Sequence, residues 1–136
     1  MKEDSNNKDN TDNTAGTDQQ YQKAVSYADN LSIQLRKGFI AYCVLVICAQ
    51  RPHYTGDIIK VLREAEMVVV EGTVYPLLSR LYKDGLLKYE WQESEQGPPR
   101  KYYETTELGE YTCRELKNHL KKLNLTLKAL EKGSKK

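Results

Sequence analysis

Cysteine is scarce and odd in number. Cys43, Cys48 and Cys113 have no tight spacing, which argues against a disulfide framework and suits a reducing compartment. A strong charge of either sign is also missing: 21 Lys and Arg against 19 Asp and Glu leave a formal +2, so there is no global basic signature. No long hydrophobic run occurs. The longest, Phe39–Ala49, falls far short of the ~20 residues that cross a bilayer. The start, Met1–Asn13, is polar and acidic, unlike a signal peptide. There is no CxxC, no HExxH, no phosphate-binding glycine loop and no internal repeat, and His53 and His119 lie far apart. Catalysis, a metal, a cofactor and a membrane partner are therefore not expected. The chain reads as one cytoplasmic domain.

What is there is unevenly distributed. Residues 1–30 carry net −3, residues 31–105 net +1 and residues 106–136 net +4. Residues 1–20 are rich in Asp, Asn, Lys, Thr and Gln. They bury too little apolar surface to offset their ordering entropy and read as a disordered tail. A helix is expected from about Ser32 or Gln34 to Gln50, apolar almost all round and so buried on several sides. Arg51-Pro52 ends it. Thr55 is the expected N-cap of a second helix, with Ile58, Ile59, Leu62 and Ala65 on one face. The β-branched Val68, Val69 and Val70 break it. A third helix starts near Glu71–Thr73, with Val74, Leu77, Leu78 and Leu81 at helical spacing, and ends at Asp84-Gly85. Pro76 is least costly near its start.

Leu87, Tyr89 and Trp91 then alternate with Lys88, Glu90 and Gln92, the mark of a half-buried strand. Glu93–Pro99 is a turn, and Arg100–Thr105 is the returning strand. Thr106 caps a last helix from about Glu107 to Glu131. In it Cys113, Leu116, Leu120, Leu123, Leu127 and Leu130 are spaced 3, 4, 3, 4 and 3, an a/d seam suited to a partner helix. The expected fold is mainly α (α+β): a winged helix-turn-helix with a long C-terminal dimerisation helix. The tail spans 1–20, the winged helix-turn-helix 21–105, and the dimerisation helix with a short tail 106–136. In this layout the third helix enters the major groove of DNA.

Several segments carry a family resemblance: Tyr54-Thr55-Gly56-Asp57-Ile58-Ile59, Glu71-Gly72-Thr73-Val74-Tyr75-Pro76-Leu77-Leu78-Ser79-Arg80-Leu81, Gly85-Leu86-Leu87, Gly97-Pro98-Pro99-Arg100-Lys101-Tyr102-Tyr103, and Thr106-Glu107 with Gly109. The chain from about Leu35 to Leu120 resembles the PadR family of transcriptional regulators. The resemblance implies a dimeric winged-helix repressor, often released from DNA by a small molecule, of the compact branch with a single C-terminal helix. Val70 departs from it, standing where Ser or Asn is common, and so does Thr105, standing where leucine is usual.

On a helical wheel, Gly72, Pro76, Ser79, Arg80 and Lys83 lie opposite Val74, with Thr73 and Tyr75 on the flanks. This face suits DNA: Arg80 for guanine or phosphate, Ser79 and Thr73 as donors. Its alternative is a solvated face. Arg100 and Lys101 on the wing suit phosphate or pairing with Glu93 or Glu95. Tyr54 and Thr55 suit phosphate at a helix N-terminus, and Tyr54 equally suits packing. Trp91, the only tryptophan, and Tyr89 suit a small aromatic effector, or Trp91 packs the hairpin on the last helix. Partners expected are double-stranded DNA, a second copy and such an effector. The rival readings are a winged-helix protein-interaction module without DNA binding and a cysteine-based redox or metal sensor.

Overall fold

The computed structural model describes residues 2–134, with side chains for 16–133. In chain order it holds α1 (Lys2–Gln50), α2 (Thr55–Glu64), α3 (Glu71–Lys83), β1 (Leu87–Ser94), β2 (Gly97–Thr105) and α4 (Glu107–Ser134). This is the expected mainly helical winged helix-turn-helix, with one two-stranded antiparallel sheet. Lys135 and Lys136, part of the expected C-terminal tail, lie outside the described residues. The chain divides into two units, Met1–Phe39 and Ile40–Lys136.

The first unit is a correction to the sequence-based expectation. A disordered tail was expected to residue 20, yet α1 begins at Lys2. Once a helix is nucleated, each further residue adds one backbone bond. Its described side chains are almost all exposed. Tyr21, Val25, Ala28, Leu35 and Phe39 fall on one line of this helix at 3.6 residues per turn. By length and composition alone, the stretch Gly16–Gln50 could cross a membrane. Part of its apolar character belongs to Ile40, Val44, Leu45, Ile47 and Cys48, all buried in the core of the second unit.

In that unit the core joins those five residues to Ile58, Ile59 and Leu62 of α2, Val69 ahead of α3, Val74, Leu77, Leu78 and Leu81 of α3, and Leu87 and Tyr103 of the hairpin. Fully buried side chains such as Leu45, Ile58, Leu78 and Leu87 each contribute about 1.5–3 kcal/mol relative to exposure. The apolar spacing on α2 and α3 thus does what it predicts, except that Ala65 is exposed at the C-cap of α2.

The caps differ in detail. Tyr54, not Thr55, is the N-cap of α2, with extended backbone and no side-chain cap bond. Its carbonyl accepts from the Ile58 N–H at 3.1 Å. Thr55 is the first helical residue and is buried. The α3 helix ends as predicted: Gly85 has φ +80, Gly85 N–H donates to Tyr82 O at 3.0 Å and Leu86 N–H to Leu81 O at 2.9 Å. These are the paired bonds of a Schellman motif. Thr106 caps α4 as expected, accepting from the Gly109 N–H at 3.0 Å, while its hydroxyl donates to Gly85 O at 2.6 Å. A side chain at Gly109 would run into the Leu86 carbonyl, so glycine lets α4 start against the end of α3. Thr105, where leucine is usual in the resembled family, is buried with its Cβ against Gly109.

The hairpin is longer than expected. Pairing runs from Leu87↔Thr105 to Ser94↔Gly97 with one irregularity between Gln92 and Ser94. Pro98 and Pro99 therefore lie in β2, not in a turn. Proline is tolerated in an edge strand, where its missing N–H faces away from the ladder. At its other end β2 gains a short third neighbour: His53 and Tyr103 exchange backbone bonds of 2.9 and 2.8 Å. This pins the wing to the start of α2.

Candidate nucleic-acid interface

The α3 helix presents two faces that differ in kind. Val74, Leu77, Leu78 and Leu81 are buried, which turns Glu71, Gly72, Thr73, Tyr75, Pro76, Ser79, Arg80 and Lys83 outward, all exposed. A Cβ at Gly72 would meet nothing within 4 Å. Glycine there is not required by the chain's own packing, although it costs a helix interior roughly 1 kcal/mol against alanine. Pro76 is the sixth residue of α3 and lies inside it, later than the first-turn position at which it is least costly. It removes the N–H that the Gly72 carbonyl would otherwise receive. The outward face is thus free of cations in its first turn, where Glu71 stands, and cationic in its last.

The wing carries its cations on opposite faces. Directly paired residues share a face, so Trp91↔Lys101 and Tyr89↔Tyr103 lie on one side, and Gln92↔Arg100 and Glu90↔Tyr102 on the other. Arg100 stacks its guanidinium 4.3 Å from the Tyr54 ring centre, and Tyr54 in turn lies 5.5 Å from Tyr102. A Cβ at Gly56 would approach the Tyr54 ring to 2.6 Å, so the glycine makes room for this stack. Lys101 places its ammonium 4.5 Å from the Tyr89 ring centre and 5.3 Å from that of Trp91. Tyr89 also meets Tyr82 of α3 at 5.0 Å. Neither cation takes the alternative pairing with Glu93 or Glu95 in the contacts seen; among the described residues Lys88 and Glu104 form an ion pair across the hairpin at 3.7 Å.

Of the residues singled out from sequence, the structure joins Tyr54 to Arg100, and Lys101 to Tyr89 and Trp91, and sets others apart. Tyr54 is half-buried and joined to the wing through Arg100. Thr55 is buried, so the phosphate contact expected of its hydroxyl has no surface to act from. Tyr103 points inward and Tyr102 is half-buried on the other face. Trp91 is 61% exposed, edge-on to Tyr89 at 6.2 Å, rather than packed between hairpin and α4. On α4 the seam divides: Cys113 and Leu116 pack partly against the chain's own core, Leu120 is half-buried, and Leu123, Leu127 and Leu130 are each more than half exposed. The apolar line on α1 was missed, although its heptad-like spacing is visible in the sequence.

Burial pushes the Cys48 thiol up to about 12. Burial also raises Cys43 and Cys113, the latter offset in part by Lys117 and Arg114. A raised thiol carries little of the thiolate that redox and metal chemistry require. Among the described residues no group of three or more His, Cys, Asp or Glu is placed to hold a metal.

The Transcriptional regulator PadR-like family model matches residues 44–115, from the buried end of α1 through the wing into α4. The chain belongs to the PadR-like family. It is accordingly a transcriptional regulator, and its winged helix is the family's. A PadR-like transcription factor from Bacteroides fragilis is 50% identical, covering 74% of this chain and 98% of its own, with a TM-score of 0.66. A PadR-family regulator from Eggerthella lenta is 32% identical, covering 78% and 96%, with a TM-score of 0.69. A PadR-like regulator from Bacillus cereus is 33% identical, covering 71% and 95%, with a TM-score of 0.63. No curated protein matches the chain.

Proposed function

We propose that this PadR-family regulator is a cytoplasmic, homodimeric repressor that binds operator DNA through α3 and the wing and is released by a small aromatic effector. The observation that carries the reading is the outward face of α3. Its small and hydroxyl-bearing residues, Gly72, Thr73 and Ser79, can approach base edges, and Arg80 can reach guanine or phosphate. Lys83 and the wing's Arg100 and Lys101 add the cations that hold a phosphate backbone. Leu123, Leu127 and Leu130 expose an apolar row whose spacing suits the same helix of a second copy. Two copies then present two α3 helices to half-sites about one helical turn apart, ~34–36 Å.

The effector step follows from the wing. Trp91 and Tyr89 offer aromatic surface beside the Lys101 ammonium. A planar ligand stacked there draws on the same cation that the wing gives to phosphate, so ligand and operator oppose one another. Release requires that the ligand favour the DNA-free arrangement, and the linkage is reciprocal.

The test is selection of duplexes from a random library by the full-length protein. Recovery of a palindromic sequence with half-sites about one turn apart supports the reading. Recovery of no preferred sequence favours a protein-interaction module. Quenching of the lone tryptophan by planar aromatic compounds, weaker when operator is bound, tests the effector; saturable quenching that ignores operator contradicts it.

A further inference from the structure

The approach to α3 is an extended valine segment. Val69 points inward and is 7% exposed, while Val68 and Val70 on either side are 63% and 65% exposed. Val70 is the N-cap of α3, with φ −104 and ψ 157, and makes no side-chain cap bond. Its carbonyl accepts from the Thr73 and Val74 N–H groups at 3.0 and 3.2 Å. A hydroxyl or carboxamide side chain in this place would satisfy one more free N–H and stabilise the helix. Valine does neither, and its side chain lies largely outside its own chain's core.

Charge narrows what such a side chain meets. The cations of α3, Arg80 and Lys83, sit in its last turn, and Glu71 is in its first. Val68, Val70, Gly72, Thr73, Tyr75 and Pro76 carry no positive charge. No side-chain cation at this end of the helix attracts a phosphate, and Glu71 repels one. Where a recognition helix enters the major groove, its N-terminal residues contact base edges. Thymine is the base that presents an apolar group there, its 5-methyl. The open space around Gly72 permits the close approach that such a contact needs.

We propose that Val70 reads a thymine 5-methyl group in the operator, with Val68 and the Thr73 methyl extending the apolar surface. The proposal rests on α3 being the DNA-reading helix, and it adds a specificity residue to it: each half-site contains a thymine fixed by contact with Val70.

The experiment uses the full-length protein and its selected duplex, with each thymine of the half-site replaced singly by deoxyuridine, which removes the methyl group and nothing else. The expected result is a loss of about fourfold in affinity at a fixed position in each half-site, the worth of one buried methyl group. Val70→Ser, which supplies a favoured cap and so keeps the helix, binds the thymine and deoxyuridine duplexes equally at that position. Its salt dependence is that of the wild type. A wild type indifferent to deoxyuridine everywhere, while still preferring the selected duplex, overturns the proposal alone; so does V70S that keeps the full discrimination. No preference for selected over random duplex overturns α3 as a DNA reader, and this proposal with it.

Discussion

Glu66 adopts φ +64, the left-handed region that side chains avoid. It follows the C-cap of α2, and the bonds around it, Glu66 N–H to Arg63 O at 2.9 Å and Met67 N–H to Leu62 O at 2.8 Å, hold the turn that leads α2 into the valine segment. Glycine carries no Cβ to strain there. Glu66→Gly is expected to raise stability by about 0.5–1 kcal/mol, the relief of strain less the entropy of a freer unfolded chain, read as a higher urea midpoint with unchanged slope. Cys48 supplies a second prediction. Its folded pKa is raised to about 12, so above the ordinary thiol value of roughly 8.5 the unfolded chain gives up a proton that the folded chain keeps. The stability it contributes is therefore intact below that pH and is lost as pH rises toward the folded value, at up to about 1.4 kcal/mol per unit. Urea midpoints at neutral pH and near pH 10 should fall more for the wild type than for Cys48→Ala; parallel falls would contradict the burial assigned to Cys48.

At the scale of elements, α3 is proposed to read bases and the wing to hold phosphates. Arg80→Ala is expected to weaken operator binding by roughly 1–3 kcal/mol if the side chain reads guanine, with a larger loss on selected than on random duplex. Lys101→Ala should weaken both about equally and lower the salt slope by about one. Band-shift titrations against both duplexes separate the two outcomes. The elements themselves were largely legible in the sequence, because local pattern sets them: the four-residue apolar set of α3, the alternation of β1, the stop at Gly85 and the start at Thr106. What was not legible depends on tertiary neighbours. Thr55 looked like a cap, but the core claims it and leaves Tyr54 to start α2. The proline-bearing segment looked like a turn, but the strand's edge tolerates Pro98 and Pro99. The Tyr54–Arg100 stack joins residues 46 positions apart, beyond the reach of any local pattern. The extent of α1 escaped because it has no buried face before Ile40 to mark it.

At the scale of the whole molecule, one chain presents one α3, and a two-half-site operator needs two. The exposed leucines at the end of α4 are the surface proposed to supply the second copy. Leu123→Glu places a charge in that row, where burial without a partner is costly. The variant is expected to sediment as a monomer at micromolar concentration while keeping its helical circular dichroism. A wild type that is itself monomeric would contradict the dimer. The central claim, that this regulator acts by holding duplex DNA with α3 and the wing, is tested most directly by the equilibrium constant for the selected duplex across a series of salt concentrations. The account predicts saturable binding whose logarithm falls steeply and linearly with the logarithm of salt, as cations displace counterions from phosphates, and a shallower line for Lys101→Ala. Binding that is absent at low salt, or indifferent to salt, would contradict it.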